Sequence, residues 1–435
     1  MKDGINLHKV KKAHFIGIGG IGISAIARMM LHEGKEVSGS DSSESTVTEE
    51  LNKLGARIFI GQKKEQVSSD TDLVVYTIAV PPSNPEMREA KKLHIPLLSY
   101  PEMLQIVSEK KFTIAVSGTH GKTTTTAMIA KVMKDAGLDP TVIVGSLLKD
   151  EKSNFISGKS EYFVVEACEY RRSFLNLSPK ILVITNIDAD HLDYYKDMAD
   201  IEKAFSELVA KVPKSGYIIC NTKDSHVRSA VKDAIAKVID YTAFQNNKIK
   251  LQTPGLHNRE NAAAVLAVSH VLEINNKKAE KFLESFSGTW RRFDYKGITK
   301  TGARVYDDYA HHPREIKATL SGARELFPKN NIFVVFQPHL YSRTKDHLAD
   351  FGRSFAHATE TIIAPIYAAR EKHDKSISAE MVAEEIVKNE GKASSKDFEE
   401  IERYLNEHTK KDDVIIVMGA GDITNLAGIL VNSKS

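Results

Sequence analysis

Phe112-Thr113-Ile114-Ala115-Val116-Ser117-Gly118-Thr119-His120-Gly121-Lys122-Thr123-Thr124 joins a strand, a glycine loop and the start of a helix. Phe112 to Val116 is a short apolar run of the kind a buried parallel strand needs. Ser117 to Lys122 is a loop, and Thr123 to Ala136 reads as a helix stopped by Gly137. That order makes a phosphate cradle. Gly118 and Gly121 let backbone N–H groups approach phosphate oxygens, and the helix start adds partial positive charge. Lys122 would reach the β- and γ-phosphates, and the Thr123 hydroxyl would ligate Mg²⁺. The match to the full phosphate-loop pattern is incomplete, because Val116 stands where its first glycine belongs.

Two acid–base residues fall at comparable places. Glu166 ends the strand-like run from Tyr162, and His191 follows the run Ile181 to Ile187. In a parallel sheet the carboxyl ends of strands meet at one edge, where ligands bind. Both side chains then sit beside the loop, where they can hold Mg²⁺ against phosphates.

A second glycine turn opens the chain. Strand Ala13 to Ile16 precedes Gly17-Ile18-Gly19-Gly20-Ile21-Gly22, and a helix runs from Ser24 to about Glu33. Gly17, Gly19 and Gly22 match Gly-x-Gly-x-x-Gly, and Asp41 ends the next strand about 20 residues on. The mechanism requires a pyrophosphate on a helix start and does not single out NAD. In the last third, the strand Arg304 to Asp308 ends in the two carboxylates of Asp307-Asp308-Tyr309-Ala310-His311-His312-Pro313. The two histidines lack further ligands at zinc spacing, which favours hydrogen bonding to nucleotide or substrate. Arg343 follows another strand, Ile332 to Gln337; it is either a carboxylate clamp or a solvated cation.

Composition sets the bounds. At roughly 150 residues per domain, 435 residues suggest about three domains. Lys+Arg total 60 against 57 Asp+Glu, a net charge of +3, which argues against a dominant nucleic-acid surface. Two cysteines, Cys168 and Cys220, exclude a disulfide scaffold and suit a reducing compartment. Phe15 to Met30 superficially reads as a signal peptide, but four glycines and Arg28 break it. The expectation is a cytoplasmic protein with no membrane and no nucleic-acid partner.

Together these residues resemble the Mur ligase superfamily over nearly the whole chain. The carrying motifs are His14 to Ser24, Gly118 to Thr124, His257-Asn258-Arg259-Glu260-Asn261-Ala262-Ala263-Ala264, Arg291-Arg292-Phe293-Asp294 and Asp307 to Pro313. The resemblance implies an α/β protein of three domains, each on a mainly parallel sheet with flanking helices. These are a Rossmann-like domain at 1–108 for a UDP-sugar, a P-loop ATPase domain at 109–291, and a Rossmann-like domain at 292–435 for the amino acid and part of ATP. It implies ligation of L-alanine to the lactyl carboxylate of UDP-N-acetylmuramate through an acyl phosphate, in peptidoglycan precursor synthesis. ATP and Mg²⁺ are the implied cofactors, small molecules the partners, and monomer or homodimer the state.

Carried over by position, the catalytic group is Lys122, Glu166, His191, Arg292 and Asp308. ATP would meet Gly118, Thr119, His120, Gly121, Lys122, Thr123, Thr124, Asn258, Asn261, Arg292 and Asp308. The metal would sit on Thr123, Glu166 and His191. The UDP-sugar would meet Gly17, Gly19, Gly20, Gly22, Ser24, Asp41, Thr77 and Asn84, and the amino acid Tyr309, His312 and Arg343. The chain departs from the superfamily after Glu166, where Ala167-Cys168-Glu169-Tyr170-Arg171-Arg172 replaces an acidic, glycine-containing pattern. Arg171 and Arg172 either read the sugar nucleotide or are solvated. Leu340 stands where many members have arginine, and no lysine is assigned the carbamylated role found in sibling ligases. Two alternatives stay open: a recycling ligase that adds a tripeptide to the same sugar nucleotide, and a dinucleotide-dependent oxidoreductase using Gly17 to Gly22.

Overall fold

Three sheets follow one another along the chain, as the recurring strand, glycine turn and helix predict. The computed structural model describes residues 5–192, 194–369 and 371–432. The first sheet holds β1 (Lys12–Ile16), β2 (Glu36–Asp41), β3 (Arg57–Ile60), β4 (Leu73–Tyr76) and β5 (Leu97–Ser99). Its order is β3-β2-β1-β4-β5, and every pairing is parallel.

The second sheet holds β6 (Phe112–Ser117), β7 (Thr141–Leu148), β8 (Ser153–Ile156), β9 (Tyr162–Glu166), β10 (Ile181–Ile184), β11 (Tyr217–Cys220) and β12 (Lys237–Asp240). Its order is β12-β11-β10-β6-β9-β7-β8, with only β7 and β8 antiparallel. The third holds β13 (Asp294–Ile298), β14 (Arg304–Asp308), β15 (Ile332–Phe336), β16 (Glu360–Ile363), β17 (Ala393–Ser395) and β18 (Val414–Met418). Its order is β13-β14-β18-β15-β16-β17, with the β13–β14 pair antiparallel.

Central strands are buried along almost their whole length: β10, β15 and β18 throughout, and β6 from Thr113 onward. Such strands need cover on both faces, which is why they read as continuous apolar runs. The chain divides into two compact units, Met1–Ile249 with Asn261–Glu284, and Lys250–Glu260 with Ser285–Ser435. The first unit carries two sheets and buries Phe15, Phe163, Phe174 and Phe205 completely; the second buries Phe336 and Phe351. Each such ring contributes about 1.5–3 kcal/mol.

Winding reverses at β1, flanked by β2 and β4, and at β6, flanked by β9 and β10. At such points the departing loops separate and leave a crevice. Both glycine loops leave from these two strands. The stretch Phe15 to Met30 is strand, loop and helix, and no helix among the described residues is long and apolar enough to cross a membrane.

Candidate active site

β6 delivers the chain into the loop at Gly118, which has φ +129°, while Gly121 has φ +83°. A Cβ on Gly118 would lie 2.0 Å from Thr185 Oγ1, and one on Gly121 2.6 Å from Asn261 Oδ1. Glycine is therefore needed at both for space and for backbone conformation. The strand predicted over 181–187 ends at Ile184, because the residues after it bond to the loop instead. Thr119 N–H donates to Asn186 O (3.0 Å), His120 N–H to Asn186 Oδ1 (2.9 Å) and Thr185 Oγ1–H to His120 O (2.6 Å). Asp188 N–H donates to Thr119 Oγ1 at 2.8 Å, and His120 Nε2 lies 3.2 Å from Asp188 Oδ2. Thr124 follows in the first turn of the helix Lys122–Asp135.

Lys122 Nζ donates to Gly118 O (2.6 Å), Thr119 O (3.0 Å) and Glu169 Oε1 (3.0 Å). Burial alone would lower its pKa; the negative charge of Glu169, with Cys168 and Glu166, more than offsets this and raises it. The lysine is thus held as a cation at the loop. Glu169 is 3% exposed, and its Oε1 also lies 3.7 Å from His191 Nε2. His191 has φ +55°, and its ring stands 4.8 Å from that of Tyr170.

Thr123 Oγ1–H donates to Glu166 at 3.1 Å and 3.0 Å, and Gly145 N–H donates to Glu166 Oε2 at 2.8 Å. A Cβ on Gly145 would lie 2.5 Å from that same oxygen. A hydroxyl and a carboxylate facing each other are hard oxygen donors, the chemistry a Mg²⁺ ion takes. Of the three expected metal residues, Thr123 and Glu166 come together, whereas His191 faces Glu169. Sequence reasoning singled out neither Glu169 nor Gly145. The signals were present: an acid three residues beyond Glu166, and a glycine inside the apolar run of β7, which marks a close approach.

The first glycine loop closes on the ends of β2 and β4. Gly17 has φ +78°, and a Cβ there would lie 2.5 Å from Thr77 Cγ2. Gly19 N–H donates to Asp41 Oδ2 at 2.8 Å, Gly20 caps the helix Ile21–His32, and Gly22 lies against the Tyr100 ring. Ser24 and Asn84 have other work. Ser24 Oγ–H donates to Ile21 O (2.9 Å) and accepts from Asn154 Nδ2 (2.9 Å), joining the helix to β8. Asn84 Oδ1 accepts from Glu86 N–H (2.9 Å) and Met87 N–H (3.1 Å), capping the helix Pro85–Lys92. Behind the loop, buried His14 lies 3.0 Å from Glu86 Oε1, and Ser40 Oγ–H donates to Glu86 Oε2 at 2.6 Å. Ser40 O in turn accepts from Gly17 N–H (2.8 Å) and Ile18 N–H (3.0 Å), so this polar core supports the loop.

Asn258 and Asn261 lie on the helix Leu256–Val271; Asn261 abuts Gly121, while Asn258 Nδ2–H donates to Pro254 O at 2.8 Å. In the second unit, Asp308 is buried at the end of β14. It accepts from Phe293 N–H (2.7 Å), Ala310 N–H (2.8 Å) and Thr319 Oγ1–H (3.3 Å). The Arg291 and Arg292 guanidinium groups lie 5.0 Å and 5.1 Å from the Tyr309 ring, a cation–π arrangement. His312 caps the helix Pro313–Leu326 by accepting from Arg314 N–H at 3.3 Å. Arg343, on the short helix Tyr341–Asp346, has Nη1 3.2 Å from His339 Nδ1. Arg291, Phe293 and Leu340 all have positive φ (57°, 50° and 70°). Such strain in non-glycine residues gathers where the surrounding structure over-determines the chain, often at functional sites.

Two groups of this unit make its stability pH-dependent in opposite senses. Burial pushes Asp308 up to about 6 from 3.8, against the pull of Arg292. Burial, aided by Arg292, pushes His257 down to about 4 from 6.5. The Asp308 contribution is full below its ordinary value and is lost as pH rises through 6. The His257 contribution is full above 6.5 and is lost as pH falls through 4. Each is on the order of 3 kcal/mol. His257→Gln should therefore gain stability from pH 6 to 4, and Asp308→Asn should lose it more steeply than the wild type. Urea titrations at pH 4.5, 5.5 and 7 measure this; parallel pH slopes for all three proteins would refute it.

Comparison with known proteins finds three matching regions. The description "Mur ligase family, catalytic domain" matches residues 12–112, "Mur ligase middle domain" 116–248, and "Mur ligase, glutamate ligase domain" 291–421. The chain is 42% identical to the UDP-N-acetylmuramate–L-alanine ligase of Clostridium botulinum, over 98% of each chain. It is 44% identical to that of Clostridium tetani, over 96% of this chain and 97% of the relative. Among solved structures it is similar to the UDP-N-acetylmuramate–alanine ligase MurC of Thermotoga maritima, with TM-score 0.82, 30% identity, and 97% of this chain and 98% of that one covered. A murein peptide ligase of Psychrobacter arcticus shares the fold, at TM-score 0.70 and 23% identity, with 98% of this chain and 100% of that one covered.

Proposed function

The chain belongs to the Mur ligase family, and on that premise we propose that it joins L-alanine to the lactyl carboxylate of UDP-N-acetylmuramate at the expense of ATP. The carrying observation is likeness to UDP-N-acetylmuramate–L-alanine ligases along nearly the whole chain. The Lys122–Thr123–Glu166 group at the switch point of the second sheet is the chemistry such a reaction needs. A carboxylate oxygen attacks the γ-phosphorus and ADP leaves, giving an acyl phosphate. The alanine amine then attacks the carbonyl carbon, and the tetrahedral intermediate expels phosphate.

The difficulty is that the two reacting partners are anions. Lys122 and the loop N–H groups screen that charge, and preorganised donors of this kind commonly supply the largest part of catalysis. Thr123 and Glu166 would hold Mg²⁺, with His191 and Glu169 beside them. Bound there, the ion would neutralise charge on the phosphates. In this reading the first sheet takes the UDP-sugar on Gly17 to Gly22, Asp41 and Thr77. The region 109–291 takes ATP, with Asn261 and Asn258 near the base. Arg292, Asp308, Tyr309, His312 and Arg343 serve the amino acid and the rest of ATP. The enzyme acts in the cytoplasm as monomer or homodimer. A dinucleotide oxidoreductase would leave Lys122, Thr123 and Glu166 without work.

The test is phosphate release from purified protein with ATP, Mg²⁺, UDP-N-acetylmuramate and single amino acids. L-Alanine should give the fastest turnover, with Ser and Gly slower. One methyl in a pocket separates them by about 1–3 kcal/mol. No phosphate with any of the three would overturn the assignment. Faster turnover with the tripeptide L-Ala-γ-D-Glu-meso-diaminopimelate would replace it by the recycling reaction.

A further inference from the structure

The segment Tyr170–Asn176 contains two consecutive left-handed residues, Arg171 (φ 51°, ψ 31°) and Arg172 (φ 55°, ψ 26°). L side chains avoid this region, so the turn is strained, and strain of this kind persists where the surroundings hold it for a purpose. The turn sends the two arginines to different partners. Arg172 Nη2 lies 2.6 Å from Asp200 Oδ1 and Nη1 2.7 Å from Glu207 Oε2, so its charge is neutralised by the helix Met198–Val209. Arg171 is exposed, and its Nη1–H donates to Ile78 O at 3.2 Å. Its guanidinium carbon lies 5.4 Å from the Tyr170 ring, which in turn stands beside His191.

Ile78 follows Thr77 at the carboxyl edge of the first sheet. Arg171 therefore stands between the crevice expected to hold the sugar nucleotide and, by way of the Tyr170 ring, His191. Among the described residues no carboxylate pairs with it. One neutral carbonyl occupies one of its five N–H donors, leaving a planar fork suited to a carboxylate. The substrate proposed above carries a carboxylate that must be presented between these two places.

Resting on that reading of the reaction, we propose that Arg171 binds the lactyl carboxylate of UDP-N-acetylmuramate and is the residue that selects it over a UDP-sugar lacking the acid. Calorimetry should compare UDP-N-acetylmuramate with UDP-N-acetylglucosamine, which has no lactyl group. Wild type should prefer the former by about tenfold or more, the value of a charge-assisted pair. Arg171→Met should lose that preference while binding UDP-N-acetylglucosamine as wild type does. Arg171→Lys should recover part of it, since an ammonium keeps the charge but not the fork. Arg172→Met, although destabilised, should keep the preference. Equal weakening of both ligands by Arg171→Met would mean a contact to the diphosphate or a purely structural role, and would overturn the proposal. So would an undiminished preference, or none in the wild type. These binding ratios need no turnover, so failure of the ligase assay and failure of this proposal are read separately.

Discussion

Lys122→Met should lower turnover by about 10²–10³-fold and also make the ligand-free protein less stable by roughly 3 kcal/mol. The two losses have different origins. Turnover falls because the cation that meets the transferring phosphoryl group is gone. Stability falls because Glu169, whose side chain is 4% exposed, loses its nearest partner at 2.9 Å. Removing one member of a buried pair costs more than the pair itself was worth. Adding Glu169→Gln should therefore restore most of the stability and none of the turnover. Urea unfolding and single-turnover ADP formation measure the two quantities. If Lys122→Met worked at near-normal speed, the lysine would have no part in phosphoryl transfer. If the double variant were no more stable than the single, the burial argument would be wrong.

Gly118→Ala should abolish ATP binding, whereas Gly137→Ala should leave it nearly unchanged, although both glycines have positive φ. Backbone conformation alone costs alanine about 1 kcal/mol or somewhat more at either place. Space makes the difference. The new methyl at Gly118 would stand 2.0 Å from Thr185 Oγ1 and 2.9 Å from Asn186 O, whereas at Gly137 it would meet nothing within 4 Å. Thr185 and Asn186 are themselves bonded to the loop, so relief requires the loop to move. A displacement of about 1 Å already costs on the order of 10²-fold where positioning carries the rate. Nucleotide binding by fluorescence and melting temperature together test this. Retained ATP affinity in Gly118→Ala would show that the loop has slack the contacts do not suggest.

Sequence reading recovered the central strands other than β7 and missed mainly strands at the sheet edges. β9 and β14 have the predicted bounds, because buried parallel strands are largely unbroken apolar runs. The missed strands are β3, β7, β8, β12, β13 and β17, and all but β7 lie at sheet edges. Edge strands are half-solvated and mix polar with apolar residues, so periodicity marks them weakly. β7 was obscured by Gly145, the residue whose missing side chain admits Glu166.

The residues of the two glycine loops determined by themselves that a left-handed turn and a helix start would follow β1 and β6. A glycine is required at a left-handed turn whatever packs around it, and a helix start attracts anions wherever it lies. Which side chains face one another was decided only by tertiary structure. Lys122, Glu169 and His191 are 47 and 22 residues apart in sequence and meet because β6, β9 and β10 are neighbours in the sheet. The two adjacent arginines make the same point at the shortest range. Arg171 and Arg172 are alike in sequence, and a strained turn assigns one to Asp200 and Glu207 and leaves the other facing the first sheet. Local chemistry is written in residue type; pairing depends on through-space distance, which the chain order does not contain.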